Sequence, residues 1–94
     1  MTLAELKSRR EEILRIAAKY GIENVRVFGS VARGTQNSDS DIDLLVDAPP
    51  ETGLKIGGFL YELQESISPR IQIQTEAMLS PYFRSDVLRQ AIRL

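Results

Sequence analysis

The sequence predicts an α/β (α+β) domain in which a small mixed sheet of about three strands is flanked by helices. Two patterns alternate along the chain: apolar residues at helical spacing, and short runs in which apolar and polar residues alternate as in half-buried strands. With 94 residues, the chain can form one hydrophobic core but has no room for a second. We therefore expect a single domain over residues 1–94.

The first predicted element is a helix over residues 2–20. Thr2 and Glu5 have the spacing of a capping box, apolar residues then recur on one helical face, and Gly21 follows where a left-handed C-cap is expected. The next run, residues 25–28, is β-branched and aromatic and predicts a strand closed by Gly29.

A second strand is predicted over residues 41–47. Before it, residues 30–33 have the length of one helical turn, ended by Gly34, and the polar residues 35–40 predict a loop. Because no crossover helix fits between the first two strands, they are expected to be antiparallel.

The remaining elements are a helix over residues 53–66, a third strand over residues 71–75, and a closing helix. The helix between the second and third strands makes a crossover, which predicts that these two strands are parallel. Ser80-Pro81 has the pattern of an N-cap followed by proline at the first helical position. Apolar residues recur from there to the end of the chain: Phe83, Val87, Leu88, Ala91, Ile92 and Leu94.

The composition excludes several kinds of chemistry. The chain has no cysteine and no histidine, so it lacks thiolate nucleophiles, disulfides and the commonest general base. Carboxylates and a hard cation are the expected tools of any catalysis. A net charge of -1 argues against direct nucleic-acid binding, which normally needs a basic face. No apolar run approaches the ~20 residues that span a bilayer, and no signal peptide is visible, so we expect a cytoplasmic protein without membrane contact.

One segment carries residues suited to binding a metal-bound triphosphate. Asp41 and Asp43 are two apart on a predicted strand, so their carboxylates leave one face about 6.6 Å apart. Such a pair repels unless a cation lies between the two charges, and oxygen ligands suit Mg²⁺. Upstream, Gly29 and Ser30 open the predicted helical turn, where backbone amides and a hydroxyl form an anion cradle beside Arg33.

Other interpretations of the same residues are weaker. Asp41 and Asp43 alone would indicate a solvated strand face, and only their combination with Gly29-Ser30 favours metal binding. An EF-hand loop starting at Asp39 would need glycine and glutamate where Leu44 and Pro50 stand. A P-loop would need Lys-Ser or Lys-Thr after the second glycine, and residues 35–36 do not provide it.

The combined motif resembles the minimal nucleotidyltransferases of the DNA polymerase β-like superfamily. The residues that carry this resemblance are Gly29-Ser30-Val31-Ala32-Arg33-Gly34, then Asp39-Ser40-Asp41-Ile42-Asp43-Leu44, and the closing segment Leu79-Ser80-Pro81-Tyr82. The resemblance implies the polymerase β-like nucleotidyltransferase fold. It also implies that Gly29 and Ser30 contact the phosphates of ATP and that Asp41 and Asp43 bind the catalytic Mg²⁺.

One residue departs from the family pattern. The family usually has a third aspartate on the following strand, which ligates metal and activates the attacking hydroxyl, and here that position is Gln72. A carboxamide keeps an oxygen ligand but cannot accept a proton. Gln72 is therefore a degenerate third catalytic position.

The resemblance also implies a partner. Stand-alone minimal nucleotidyltransferases are commonly encoded with HEPN-domain partners, usually RNase toxins, so a hetero-oligomer is expected. Three hypotheses follow: an active antitoxin that transfers AMP from ATP to a toxin tyrosine, an antitoxin that acts by binding because of Gln72, and a nucleotide-sensing or structural module without a toxin partner. A neighbouring gene for a HEPN domain would separate the third from the other two.

Overall fold

The computed structural model describes the backbone of residues 1–94 and the side chains of all of them except Thr52. The α-helices are α1 (Leu3–Ser8), α2 (Arg10–Lys19), α3 (Gly29–Arg33), α4 (Gly53–Ser66) and α5 (Arg84–Gln90). The strands are β1 (Glu23–Phe28), β2 (Ile42–Asp47), β3 (Ile71–Gln74) and β4 (Ile92–Arg93). Short 3₁₀ helices cover Pro50–Thr52 and Glu76–Met78.

The described backbone forms one four-stranded mixed sheet in the order β3-β2-β1-β4. Strands β1 and β2 are antiparallel and β2 and β3 are parallel, as predicted from the lengths of the connections. Helix α4 is the crossover between the parallel pair. The predicted mixed sheet is confirmed, with one strand more than the three expected.

One face of the sheet, the apolar face, packs against the main hydrophobic core. The other face, which carries Asp43 and Gln72 as well as the buried Leu45, is called the polar face. Helices α1, α2 and α4 supply Leu6, Ile13 and Phe59 to the apolar face, where they pack with fully buried strand residues such as Val27 and Leu44. Alternation along the strands then directs the side chains of intervening residues to the opposite side. On that side, paired strand positions place three side chains in a row across the sheet: Phe28, Asp43 and Gln72.

The single helix predicted over residues 2–20 is wrong, because the chain turns at Arg9. The capping box at Thr2 is present: the Glu5 amide donates to the Thr2 hydroxyl, and Glu5 accepts from the Thr2 amide. Helix α1 then ends at Ser8, and α2 begins at Arg10. The Arg9 guanidinium donates to Glu12 at 2.8 Å and to the carbonyl of Ser66 at 2.8 Å, which joins this corner to the end of α4.

The closing helix is shorter than predicted at both ends. It begins at Arg84 after a turn in which the carbonyl of Ser80 accepts from the amides of Phe83 and Arg84. After Gln90 the chain becomes extended, and Ile92–Arg93 pairs with the edge of β1. This pairing satisfies backbone groups that would otherwise lie open at the sheet edge.

Leu94 explains why the helical pattern misled the prediction. Its amide donates to the carbonyl of Val25 at 3.0 Å, and its side chain is buried in the core. The apolar spacing from Phe83 to Leu94 resembles that of a helix, although Leu94 reaches the core from a strand. None of the helices in the described part of the chain is long and apolar enough to cross a membrane.

Candidate functional site

Asp43 and Gln72 are direct neighbours on the polar face. Asp43 lies opposite Phe28 on β1 and opposite Gln72 on β3. Paired positions on adjacent strands place their side chains on the same face. Asp43 is half-buried and Gln72 is exposed, so the carboxylate lies deeper in the surface than the carboxamide beside it.

The Asp43 carboxylate lies directly against Gly29. A β-carbon on Gly29 would be 2.5 Å from Oδ2 of Asp43, and Gly29 has a φ of +73°. Glycine is required twice here, for the left-handed backbone and for the close approach of the carboxylate. The strand-to-helix turn at Gly29 therefore brings the start of α3, including half-buried Ser30, next to the acid of β2.

Asp41 lies just outside the strand on which it was predicted. Strand β2 begins at Ile42, and Asp41 is exposed immediately before it. The pKa of Asp43 is raised above its ordinary value, first by partial burial and second by the negative charge of Asp41, while the positive charge of Arg33 opposes the shift. The negative charge of Asp41 therefore acts on Asp43, and a cation bound between the two acids would relieve their repulsion.

Arg33 is the last residue of α3, and Gly34 ends that helix with a φ of +75°. The helical turn and its glycine stop agree with the prediction. The guanidinium of Arg33 donates through Nη1 to Oε1 of Gln90 at 3.0 Å. Sequence reasoning missed this contact between α3 and the end of α5, because nothing in the spacing indicates that residues 57 positions apart meet.

A third carboxylate does not join Asp41 and Asp43. Among the described residues, no group of three or more acids, histidines or cysteines is placed to hold a metal ion. Asp39 lies 3.5 Å from the guanidinium of Arg70. Glu62, an acid that could have replaced the missing ligand, accepts instead from Tyr20 and Lys19.

Two cavities of the structure lie away from the candidate site. A cavity of about 450 Å³ lies at the other end of β2, where Asp47 and Glu76 line it. A second cavity of about 380 Å³ is lined by Arg10 and Leu94. Neither of these two cavities includes a residue of the candidate site.

This arrangement of a glycine turn, a short helix and an acid on the adjacent strand agrees with the sequence comparisons. The model of the nucleotidyltransferase domain family matches residues 9–94. The chain belongs to that family. A Methanocaldococcus jannaschii protein named "Putative protein adenylyltransferase MJ0435" is 30% identical to this nucleotidyltransferase domain over 93 residues, which cover 98% of this chain and 97% of the relative.

Solved structures have the same fold. A structure described as that of a "putative minimal nucleotidyltransferase" superposes with a TM-score of 0.84 at 43% identity, covering 100% of this chain and 97% of the other. A crystal structure of a toxin–antitoxin with AMP-PNP superposes with a TM-score of 0.69 at 19% identity, covering 88% of this chain and 69% of the other. The second likeness shows the fold alone.

Proposed function

We propose that this nucleotidyltransferase domain binds Mg-ATP on the polar face of its sheet and acts as an antitoxin. In this proposal it neutralises a HEPN-domain RNase toxin by transferring AMP to a tyrosine of the toxin. The observation that carries the proposal is the contact between Asp43 and Gly29, because it joins the acidic strand to the glycine turn from which a phosphate cradle would be formed.

The residues present fit a hard cation. Asp41 and Asp43 offer carboxylate oxygens, and Gln72, paired with Asp43, offers a carboxamide oxygen. Mg²⁺ typically takes one or two protein carboxylates and completes its shell with water and phosphate oxygens. When bound, the ion would neutralise charge on the phosphates during transfer.

Two further groups would hold the triphosphate. The hydroxyl of Ser30 and the amides at the start of α3 would donate to phosphate oxygens, as backbone amides at such turns do. Arg33 would add a positive charge at the other end of the helix. Charge-assisted hydrogen bonds of this type are about twice as strong as neutral ones.

The proposed transfer is a displacement at the α-phosphorus of ATP. The phenol oxygen of the toxin tyrosine forms a bond to the α-phosphorus, the bond from that phosphorus to the bridging oxygen breaks, and pyrophosphate leaves. The phenol proton must go to a base. Gln72 cannot accept this proton, since its amide is neutral and not basic. Water is then the acceptor, and transfer is expected to be slow.

The comparisons support the proposal at two points. The relative from Methanocaldococcus jannaschii is named as a protein adenylyltransferase, and the toxin–antitoxin with the same fold was crystallised with AMP-PNP. By analogy, we infer for this chain a protein acceptor, an ATP substrate and a hetero-oligomeric assembly with the toxin. The cytoplasmic location stays a prediction from the sequence.

The test is to incubate the domain with ATP, Mg²⁺ and the HEPN-domain protein encoded beside it, and to measure the intact mass of that protein. Addition of AMP to a tyrosine, lost when Mg²⁺ is omitted, is the expected result. A toxin that stays unmodified while its RNase activity is blocked would favour a second candidate function, an antitoxin that acts by binding alone. The pairing of Gln72 with Asp43 is the observation that favours this second candidate. Absence of both effects would contradict the antitoxin proposal.

A further inference from the structure

The contact between Arg33 and Gln90 joins the end of α3 to the end of α5. Arg33 closes α3 and Gln90 closes α5, and the guanidinium donates to the Gln90 side-chain oxygen at 3.0 Å. Both side chains are exposed. An exposed hydrogen bond to a neutral amide adds little to the stability of a fold, so its effect is expected on the position of the arginine.

Arg33 makes no ion pair within 4.0 Å among the described side chains, although its charge acts on Asp43. Bidentate pairing with a carboxylate is the preferred geometry of a guanidinium. In this structure the amide of Gln90 holds the guanidinium instead. Arg33 thereby keeps its charge and further N–H donors for an anion.

We propose that Gln90 is a positioning residue for nucleotide binding, which acts by holding the guanidinium of Arg33 in one place at the end of α3. The inference rests on the proposed binding of Mg-ATP. Gln90 uses a neutral acceptor, so it fixes the guanidinium without cancelling its charge. The hydrogen bond to Gln90 also restricts the rotamers of Arg33 before a ligand binds. Less side-chain entropy is then lost on binding.

The test is a double-variant cycle in which Mg-ATP affinity is measured by titration calorimetry. Gln90→Leu removes the acceptor and should weaken binding by about three- to tenfold, the range that corresponds to one hydrogen bond. Arg33→Ala should weaken binding at least as much. Adding Gln90→Leu to Arg33→Ala should then cause no further loss, because Gln90 acts through Arg33.

Two other variants and a thermal measurement separate positioning from support of the fold. Gln90→Glu keeps an oxygen at the same place but adds a negative charge that cancels the charge of Arg33, so it should weaken binding at least as much as Gln90→Leu. Ser85→Leu is the control, since Ser85 is exposed on the same helix and has no described contact with Arg33; it should not change binding. Unfolding temperatures of these variants should differ by no more than a few degrees, as for surface substitutions generally.

The outcomes distinguish this inference from the proposed function. If the unaltered protein binds Mg-ATP but Gln90→Leu has no effect, or if the losses from Gln90→Leu and Arg33→Ala add, Gln90 does not position Arg33. If Gln90→Leu unfolds the protein, Gln90→Ala takes its place in the double-variant cycle. Additive losses of affinity from Gln90→Ala and Arg33→Ala would then contradict the inference. If the unaltered protein does not bind Mg-ATP, the proposed function fails, and this inference fails with it.

Discussion

Oδ2 of Asp43 lies 2.5 Å from the point where a β-carbon on Gly29 would be. Asp43 and the turn that opens α3 are therefore in close contact, and a side chain at position 29 would displace the Asp43 carboxylate. Gly34 provides a natural comparison, because it has nearly the same positive φ but no atom within 4 Å of its would-be β-carbon.

Gly29→Ala should therefore weaken Mg-ATP binding by about tenfold or more, because the new methyl group displaces the Asp43 carboxylate. Gly34→Ala has a similar backbone penalty, about 1–2 kcal/mol for a left-handed residue with a β-carbon. It should reduce the unfolding free energy without a comparable loss of affinity. Calorimetric titration and urea unfolding of both variants measure the two effects. Equal losses of affinity would show that backbone strain, not displacement of Asp43, is responsible.

Asp43→Asn should increase stability near neutral pH. Burial and the charge of Asp41 raise the pKa of Asp43 in the folded protein above its ordinary value of 3.8. The protonated form is thus favoured by folding, and this contribution is present below pH 3.8 and is lost as pH rises through the folded pKa. Replacing the acid with a neutral amide removes that loss, so the advantage of the variant should shrink as the pH falls toward 3.8.

Unfolding curves at several pH values test this expectation, with Asp39→Asn as the control for net charge. Asp39 is exposed and lies near Arg70, so its replacement should not produce the same pH-dependent gain. A gain in both variants, or a gain in Asp43→Asn that does not change with pH, would show that the environment of Asp43 is not the cause.

Two adjacent glycines of α4 should respond in opposite ways to alanine. Gly57→Ala meets open space and should stabilise the helix by about 0.5–1 kcal/mol. Gly58→Ala would place its β-carbon 2.8 Å from Cε1 of Tyr20. That ring cannot easily move, because its hydroxyl donates to Glu62 at 2.9 Å and its other neighbours include Phe59.

Urea unfolding of the two variants measures the difference. Gly58→Ala should gain less than Gly57→Ala or lose stability outright. Equal gains would mean that Tyr20 shifts freely and that the contact between α2 and α4 is looser than the structure indicates.

Gln72→Asp should accelerate AMP transfer to the partner toxin. The residue lies beside Asp43 on the next strand, so an acid there would add a metal ligand and a proton acceptor. General-base assistance typically contributes about 10²–10⁴-fold in rate. AMP incorporation over time should rise in this variant, while Mg-ATP affinity should change much less. Fast transfer by the unaltered chain with no gain from Gln72→Asp would indicate that another group takes the proton.

The polar face was predictable from the sequence because alternation fixes which side of a strand each residue occupies. The buried residues Ile42 and Leu44 leave Asp43 on the other side, and the crossover length makes β3 parallel to β2. Buried Ile71 and Ile73 then place Gln72 next to Asp43, which the register confirms. Alternation within each strand and the length of the crossover were therefore sufficient to predict that Asp43 and Gln72 are neighbours.

Other features depend on contacts that are distant in sequence. The break at Arg9 accompanies hydrogen bonds to Ser66, and β4 forms because the edge of β1 needs a partner. The contact of Gln90 with Arg33 joins the last residue of α5 to the last residue of α3. Periodicity within one segment carries no information about such pairings, so the closing helix was predicted too long.

The central claim is that Asp43 belongs to a site that binds Mg-ATP, and titration calorimetry of the unaltered protein and of Asp43→Asn tests it most directly. The unaltered protein should bind ATP saturably and only with Mg²⁺ present, and Ser30→Ala should weaken this binding by about 1–2 kcal/mol. Asp43→Asn, which we expect to be folded and more stable, should lose most of the affinity. Equal Mg-ATP affinity in Asp43→Asn and the unaltered protein would contradict the account.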